Sequence, residues 1–351
     1  MTLPGTTAAQ IGTFTAIYLA FLFEIPSGYF SDKFGHKNTM IIAKIFMLLS
    51  TVMFLLYSFL FFALGAIFLS LATSFSSTNT AFMHETFSEL KEKEFTKIMK
   101  IKEVSLISLV LIISLPFFTA IDIRMPLAIN LFDIILLIAF ILVTPRKEKE
   151  IGPSKNIIQL IKETRGQKFY PVAIFSAIIL AFLFAENAFR TVYLTSIGYP
   201  IIYIFVMISR FFWFLTGRYI HVIEKYFTIK QLLFAEIFIF SFYYISASLL
   251  TNPYVIFIFS MIIGYQWGRL SIIDKHLIDS LKDKKYKATM LSIKSQIASM
   301  IQIVLAVAIF VMAYSYQLYG VLGVLIFVAL CINYRYVVKS LEENKETKLR
   351  K

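Results

Sequence analysis

Glu24, Asp133, Glu186, Arg210 and Lys294 are ionisable side chains set inside otherwise apolar stretches of this chain. A charge at the centre of a lipid bilayer costs about 2.5–3.5 kcal/mol on insertion scales, so such residues pair, reach water or carry protons. A carboxyl in that setting can take up and release a proton. A guanidinium or ammonium can hold an anionic group or a counter-carboxylate. Glu186 and Arg190 stand four residues apart, with Asn187 beside them, and that spacing lets the pair bond on one helical face. Each of these residues has two readings: structural pairing, or coupling to substrate or protons. Pairing is the simpler account for Glu24, Asp133 and Glu236. Arg210 and Lys294 are too costly against lipid and are expected to face a bundle interior.

The elements that must position them are membrane spans. The 351 residues are 58% hydrophobic and 16% charged, with a mean hydropathy of +0.76. A soluble domain carries about 25% charged residues. A helix needs about 20 apolar residues to cross a bilayer, and runs this long can satisfy their backbone in lipid only as helices. Eleven runs qualify, near 8–28, 39–57, 60–82, 103–120, 125–144, 169–190, 197–217, 229–250, 253–270, 288–312 and 315–336. All but four of the 34 Lys and Arg residues fall in one alternate set of loops, the exceptions being Arg124, Arg190, Arg210 and Lys294. That excess marks the cytoplasmic side and puts the C-terminus in the cytoplasm. It also accounts for the net charge of +13, which faces anionic headgroups and gives no reason to invoke nucleic acid.

The longest charged loop divides the chain. The expected organisation is a helical half over 1–144 with five spans and a cytoplasmic linker over 145–168. A second half over 169–338 has six spans, and a cytoplasmic tail covers 339–351. The linker contains Gly152, Pro153 and a short amphipathic stretch at Ile157, Ile158, Leu160 and Ile161, read as a surface helix.

Gly28-Tyr29-Phe30-Ser31-Asp32-Lys33-Phe34-Gly35-His36-Lys37 joins two of the runs and reads as a tight polar loop. It resembles the signature loop of the major facilitator superfamily, Gly-x-x-x-Asp-Arg/Lys-x-Gly-Arg-Arg/Lys. Gly28, Asp32, Lys33, Gly35 and Lys37 match, and His36 departs from the usual arginine. Glu24-Ile25-Pro26-Ser27-Gly28 resembles the segment that precedes this loop in bacterial members. Lys287-Ala288-Thr289-Met290-Leu291-Ser292 resembles the opening of their penultimate helix. Gly217-Arg218-Tyr219-Ile220-His221-Val222-Ile223-Glu224-Lys225 is similar to a degenerate second copy of the loop, as two parallel repeats would give.

The resemblance implies an all-α membrane protein, a bundle of two pseudo-repeated halves. It implies that Asp32 latches the cytoplasmic side against the helix opening at 287–292, with Gly28 and Gly35 allowing close approach. Family members carry this loop after their second span, whereas here it follows the first, so the family's first helix is expected to be missing, through truncation, a wrong start site or a real eleven-span plan. The implied function is secondary transport of a small organic solute across the cytoplasmic membrane by a monomer. Proton coupling is expected, with efflux ahead of uptake. The alternative is a non-transporting scaffold or sensor, or a degenerate paralogue, suggested by the missing helix.

Other features bound the chemistry. The polar third span (Ser70, Thr73, Ser74, Ser76, Ser77, Thr78, Asn79, Thr80) can pack tightly or line a cavity. Gly264 and Gly268 have the spacing of a helix-packing motif. Cys331 stands alone in an apolar run. His36, His84, His221 and His276 lie in or beside polar loops, and no Cys/His metal spacing occurs. No phosphate-binding loop or catalytic set is present, so neither an enzyme nor a cofactor is expected.

Overall fold

The computed structural model describes residues 23–56, 58–75, 78, 81–82, 131, 134–135, 138–139, 141–142, 158–159, 169–197, 201–249, 254–281, 286–311 and 316–349. Among these, the helices are α1 (Glu24–Phe34), α2 (His36–Leu55), α3 (Phe59–Ser74), α4 (Phe169–Ile197) and α5 (Ile201–Tyr226). They continue with α6 (Ile229–Leu249), α7 (Tyr254–Asp279), α8 (Lys287–Val311) and α9 (Tyr316–Leu349). No strand occurs among the described residues. The runs expected at 103–120 and, for the most part, 8–28 and 125–144 lie outside them, as do Asp133 and most of the 145–168 linker.

Four segments are long and apolar enough to cross a membrane by length and composition: His36–Leu55, Ile229–Leu249, Lys287–Leu305 and Leu318–Leu341. Their faces are arranged for lipid. On α6, Phe234, Phe238, Phe242, Ile245 and Leu249 are exposed, while Glu236, Ser241 and Ser246 are buried. Large apolar side chains outward and polar ones inward is the pattern a helix adopts when its outer solvent is hydrocarbon.

Several helices run past the apolar stretch that marks them. The expected loop between the runs at 197–217 and 229–250 is helical to Tyr226, and the one between the runs at 253–270 and 288–312 is helical to Asp279. Only residues 227–228 separate α5 from α6. There the backbone N–H of Thr228 donates to Gln231 Oε1 at 2.9 Å, and Gln231 N–H donates to Thr228 Oγ1 at 3.3 Å. Threonine at the cap and glutamine three residues later satisfy each other's orphan donors.

The chain packs as two units. One contains α1, α2, α3 and the start of α8 up to Ser299; the other contains α4 to α7, α9 and the rest of α8. In the first, Ser50 Oγ donates to the Gly65 carbonyl at 2.8 Å, and a Cβ on Gly65 would meet the Phe54 ring at 2.7 Å. In the second, Gly264 and Gly268 seat α7 on α5. A Cβ at Gly264 would sit 2.5 Å from the Ser209 carbonyl oxygen, and one at Gly268 would overlap Thr216. Small residues at such crossings let backbones approach, which supplies contact where lipid removes the hydrophobic drive.

Candidate functional site

The polar segment at 28–37 is nearly all helix. α1 continues to Phe34, Gly35 alone breaks it, and α2 begins at His36. Gly35 has φ +97° and ψ 138°, a conformation that L side chains rarely adopt. A Cβ there would meet nothing within 4 Å, so the glycine is required by its backbone angle and not by a close approach. A one-residue junction therefore replaces the expected loop.

That junction leaves one face of α1 buried: Glu24, Ser27, Gly28, Ser31 and Asp32. The spacing of three and four residues is that of a helical stripe. The stripe meets the first three turns of α8 in antiparallel register, at three levels.

At the first level, Asp32 is fully buried and caps α8 through space. Oδ1 accepts the Ala288 N–H at 3.2 Å, and Oδ2 accepts the Thr289 N–H at 2.8 Å and the Thr289 hydroxyl at 2.6 Å. The first four N–H groups of a helix have no partner within it, and the helix dipole places partial positive charge there. A carboxylate answers both. His36 flanks it, with Nε2 3.8 Å from Asp32 Oδ1 and Nδ1 2.7 Å from Ser31 Oγ.

At the second level, Gly28 faces Ala288 and Ser292. A Cβ on Gly28 would overlap Ser292 Oγ and stand 2.7 Å from the Ala288 carbonyl oxygen. Here the absence of a side chain is what permits contact. Ser27 secures the other side by donating to the Ser74 carbonyl of α3 at 2.5 Å.

At the third level, Glu24 is 3% exposed and hydrogen-bonded to the Ser295 side chain, with Lys294, 4% exposed, close enough to act on it electrostatically. Its Oε2 has no hydrogen-bond partner among the described residues.

The remaining candidates are placed elsewhere. Lys33 is exposed and lies over the Phe34 ring at 5.6 Å; Lys37 Nζ donates to the Leu142 carbonyl at 3.0 Å. Glu186 lies on α4 and Arg210 on α5, and the side chains of both are outside the described residues, as are those of Asn187 and Arg190. The seam thus gathers Glu24, Gly28, Asp32 and Lys294, while Glu186, Arg210 and Asp133 have no described place in it.

A second buried polar cluster lies between α6 and α7. Glu236 takes a two-pronged contact from Arg269, Nε to Oε1 at 2.5 Å and Nη2 to Oε2 at 2.6 Å. The Tyr265 hydroxyl donates to Glu236 Oε1 at 3.0 Å, and Arg269 Nη1 donates to Gln266 Oε1 at 3.0 Å. Both charges are 0% exposed. The sequence pattern counted Arg269 as a loop cation; it is instead a helical residue buried against Glu236. Its signal was indirect. Glu236 early in one span and Arg269 late in the next stand at the same end of an antiparallel pair, where two charges can meet. Among the described residues, no group of three or more His, Cys, Asp or Glu side chains is placed to hold a metal ion.

No family model matches the sequence, and no curated protein matches it. Solved structures do. The E. coli fucose:proton symporter matches with a TM-score of 0.62 at 13% identity, over 94% of this chain and 91% of that one. A bacterial homologue of the iron transporter ferroportin, solved in its outward-facing state, also matches with a TM-score of 0.62 at 13% identity. There the match covers 97% of this chain and 92% of the other. Likeness at this identity shows the fold, which is the all-α bundle of the major facilitator type. The chain is a multi-pass membrane protein.

Proposed function

We propose that this chain is a secondary active transporter that moves a small organic solute across the cytoplasmic membrane by alternating access. The observation that carries the reading is the Asp32 cap on α8. A structural anchor need not be made from a buried carboxylate and the open end of another helix. Such a contact costs little to break and re-form, because water satisfies both partners when they separate. It contributes about 0.3–2 kcal/mol, enough to bias a two-state equilibrium without locking it.

In this reading the α1–α8 seam is the cytoplasmic gate, with Gly28, Asp32 and Gly35 giving it shape and Lys33 and Lys37 lying at its edge. Protons drive the cycle, and efflux is favoured over uptake. Glu186, Arg210 and Asp133 are the further candidates for coupling to substrate or protons, beside Glu24 and Lys294 in the seam. The protein works as a monomer with its C-terminus in the cytoplasm, and performs no covalent chemistry on its solute.

Reconstitution into proteoliposomes with an imposed pH gradient tests this. Gradient-dependent movement of an amphipathic organic compound is expected, and it is abolished by Glu186→Gln or Arg210→Ala at unchanged protein yield. Full retained flux in both variants would remove those residues from the path. A panel of solutes that all fail to move, with the gate still opening and closing, would leave a sensor or scaffold as the better account.

A further inference from the structure

We infer that Glu24 carries the transported proton at the α1–α8 seam, so that the group that binds the proton and the group that holds the gate lie on one helical stripe. The inference rests on the gating reading above. Three observations place the proton there. Glu24 is 3% exposed and within the seam. One oxygen is held by Ser295 while the other has no hydrogen-bond partner among the described residues. Asp32, which makes the cap, stands eight residues along the same face, about 12 Å away at 1.5 Å per residue.

An ionised carboxylate offers about four acceptor positions, and leaving them empty in a dry site is costly. A carboxylic acid needs far fewer partners. The closed seam, with one contact to Ser295, therefore suits the acid. When α8 separates from α1, the Asp32 contacts break and water reaches Glu24. The carboxyl gives its proton to that water, and the resulting carboxylate gains the hydration that the closed seam denies it. The seam closes again with solute bound, and the carboxylate takes its next proton when the path opens to the opposite side, so each cycle carries one proton across. Among the described residues, Lys294 of α8 is the charge that acts on Glu24, while Asp32 of α1 and His36 of α2 stand at the far end of the stripe. α3 (Phe59–Ser74) contains no ionisable residue.

The test uses the full chain in membrane vesicles, with Cys331→Ser and a reporter Ser292→Cys in the seam. Labelling by a membrane-impermeant maleimide is measured from the Asp32 side across a pH range. Each rate is divided by that of the same reporter with Asp32→Asn, which cancels the reactivity of the thiol itself. With Glu24 present, the ratio is expected to rise several-fold from acidic to alkaline pH. With Glu24→Gln, it is expected to stay low and flat. A flat ratio in the chain that retains Glu24 overturns the inference, and this arm needs no Glu24 variant to fold. A rising ratio that persists in Glu24→Gln overturns it too. If Asp32→Asn does not raise labelling at any pH, it is the gating reading itself that fails.

Discussion

Oδ2 of Asp32 accepts both the backbone N–H and the hydroxyl of Thr289, across 257 positions of sequence. The hydroxyl strengthens the contact but does not define it, because two backbone donors remain without it. Thr289→Val is therefore expected to weaken the closed state by about 0.5 kcal/mol, and Asp32→Asn by about 1–2 kcal/mol, since the latter removes the charge from two helix N–H groups. Labelling of Ser292→Cys should rise in that order. Equal labelling in both variants and the parent would show that the cap does not hold the seam.

Gly28 and Gly35 are predicted to fail for different reasons. Gly28→Ala drives a methyl into Ser292 Oγ and towards the Ala288 carbonyl. Overpacking of this kind costs about 1–3 kcal/mol, and it should open the seam. Adding Ser292→Gly should restore part of the loss but not all, because the Ala288 carbonyl is backbone. Complete rescue, or no effect of Gly28→Ala, would contradict the close approach.

At Gly35 space is open and the strain is conformational. Gly35→Ala is expected to cost about 1–3 kcal/mol of folded stability, read as a lower melting temperature in detergent. A second-site change on α8 should not relieve it. Rescue from α8 would mean that packing, and not φ, selects glycine there.

The Glu236–Arg269 pair is predicted to be structural. Arg269→Ala leaves a buried carboxylate without its partner, which typically costs about 3–5 kcal/mol. The double change Glu236→Leu with Arg269→Met should recover most of that stability, as apolar replacements of buried pairs often do. Recovered stability with lost transport would instead give the pair a role in the cycle.

His276 sets a pH dependence. It lies on α7 beyond the apolar run, and burial lowers its imidazole pKa below 6.5, with Asp279 opposing the shift. Asp274 and Lys275 are its charged neighbours in sequence. A base whose folded pKa is depressed contributes full stability above its unfolded value. As pH falls below 6.5, the unfolded chain protonates first and stability declines until the folded pKa is reached. Melting temperature should drop between neutral and mildly acidic pH, and His276→Gln should flatten part of that slope. An unchanged slope would assign it to other groups.

Where apolar helices lie was legible in the sequence; where they stop was less so. The run at 229–250 is the helix Ile229–Leu249, and that at 288–312 is Lys287–Val311. Hydropathy failed at Gly217–Tyr226 and Arg269–Asp279, because a change of solvent does not end a backbone hydrogen-bond ladder. The Asp32 contact region followed from family resemblance, since no local pattern links residues that far apart. The partners of Glu24 and Glu236 were hidden for the same reason. A buried carboxyl announces a need, and only the packed bundle shows which side chain meets it.

The joint between α5 and α6 has a consequence for how the chain is made. Thr228 and Gln231 satisfy one another without help from any other part of the protein. The turn is complete once its few residues have left the ribosome. The start of α6 is thus sealed against its own polar ends before α8 exists to meet Asp32.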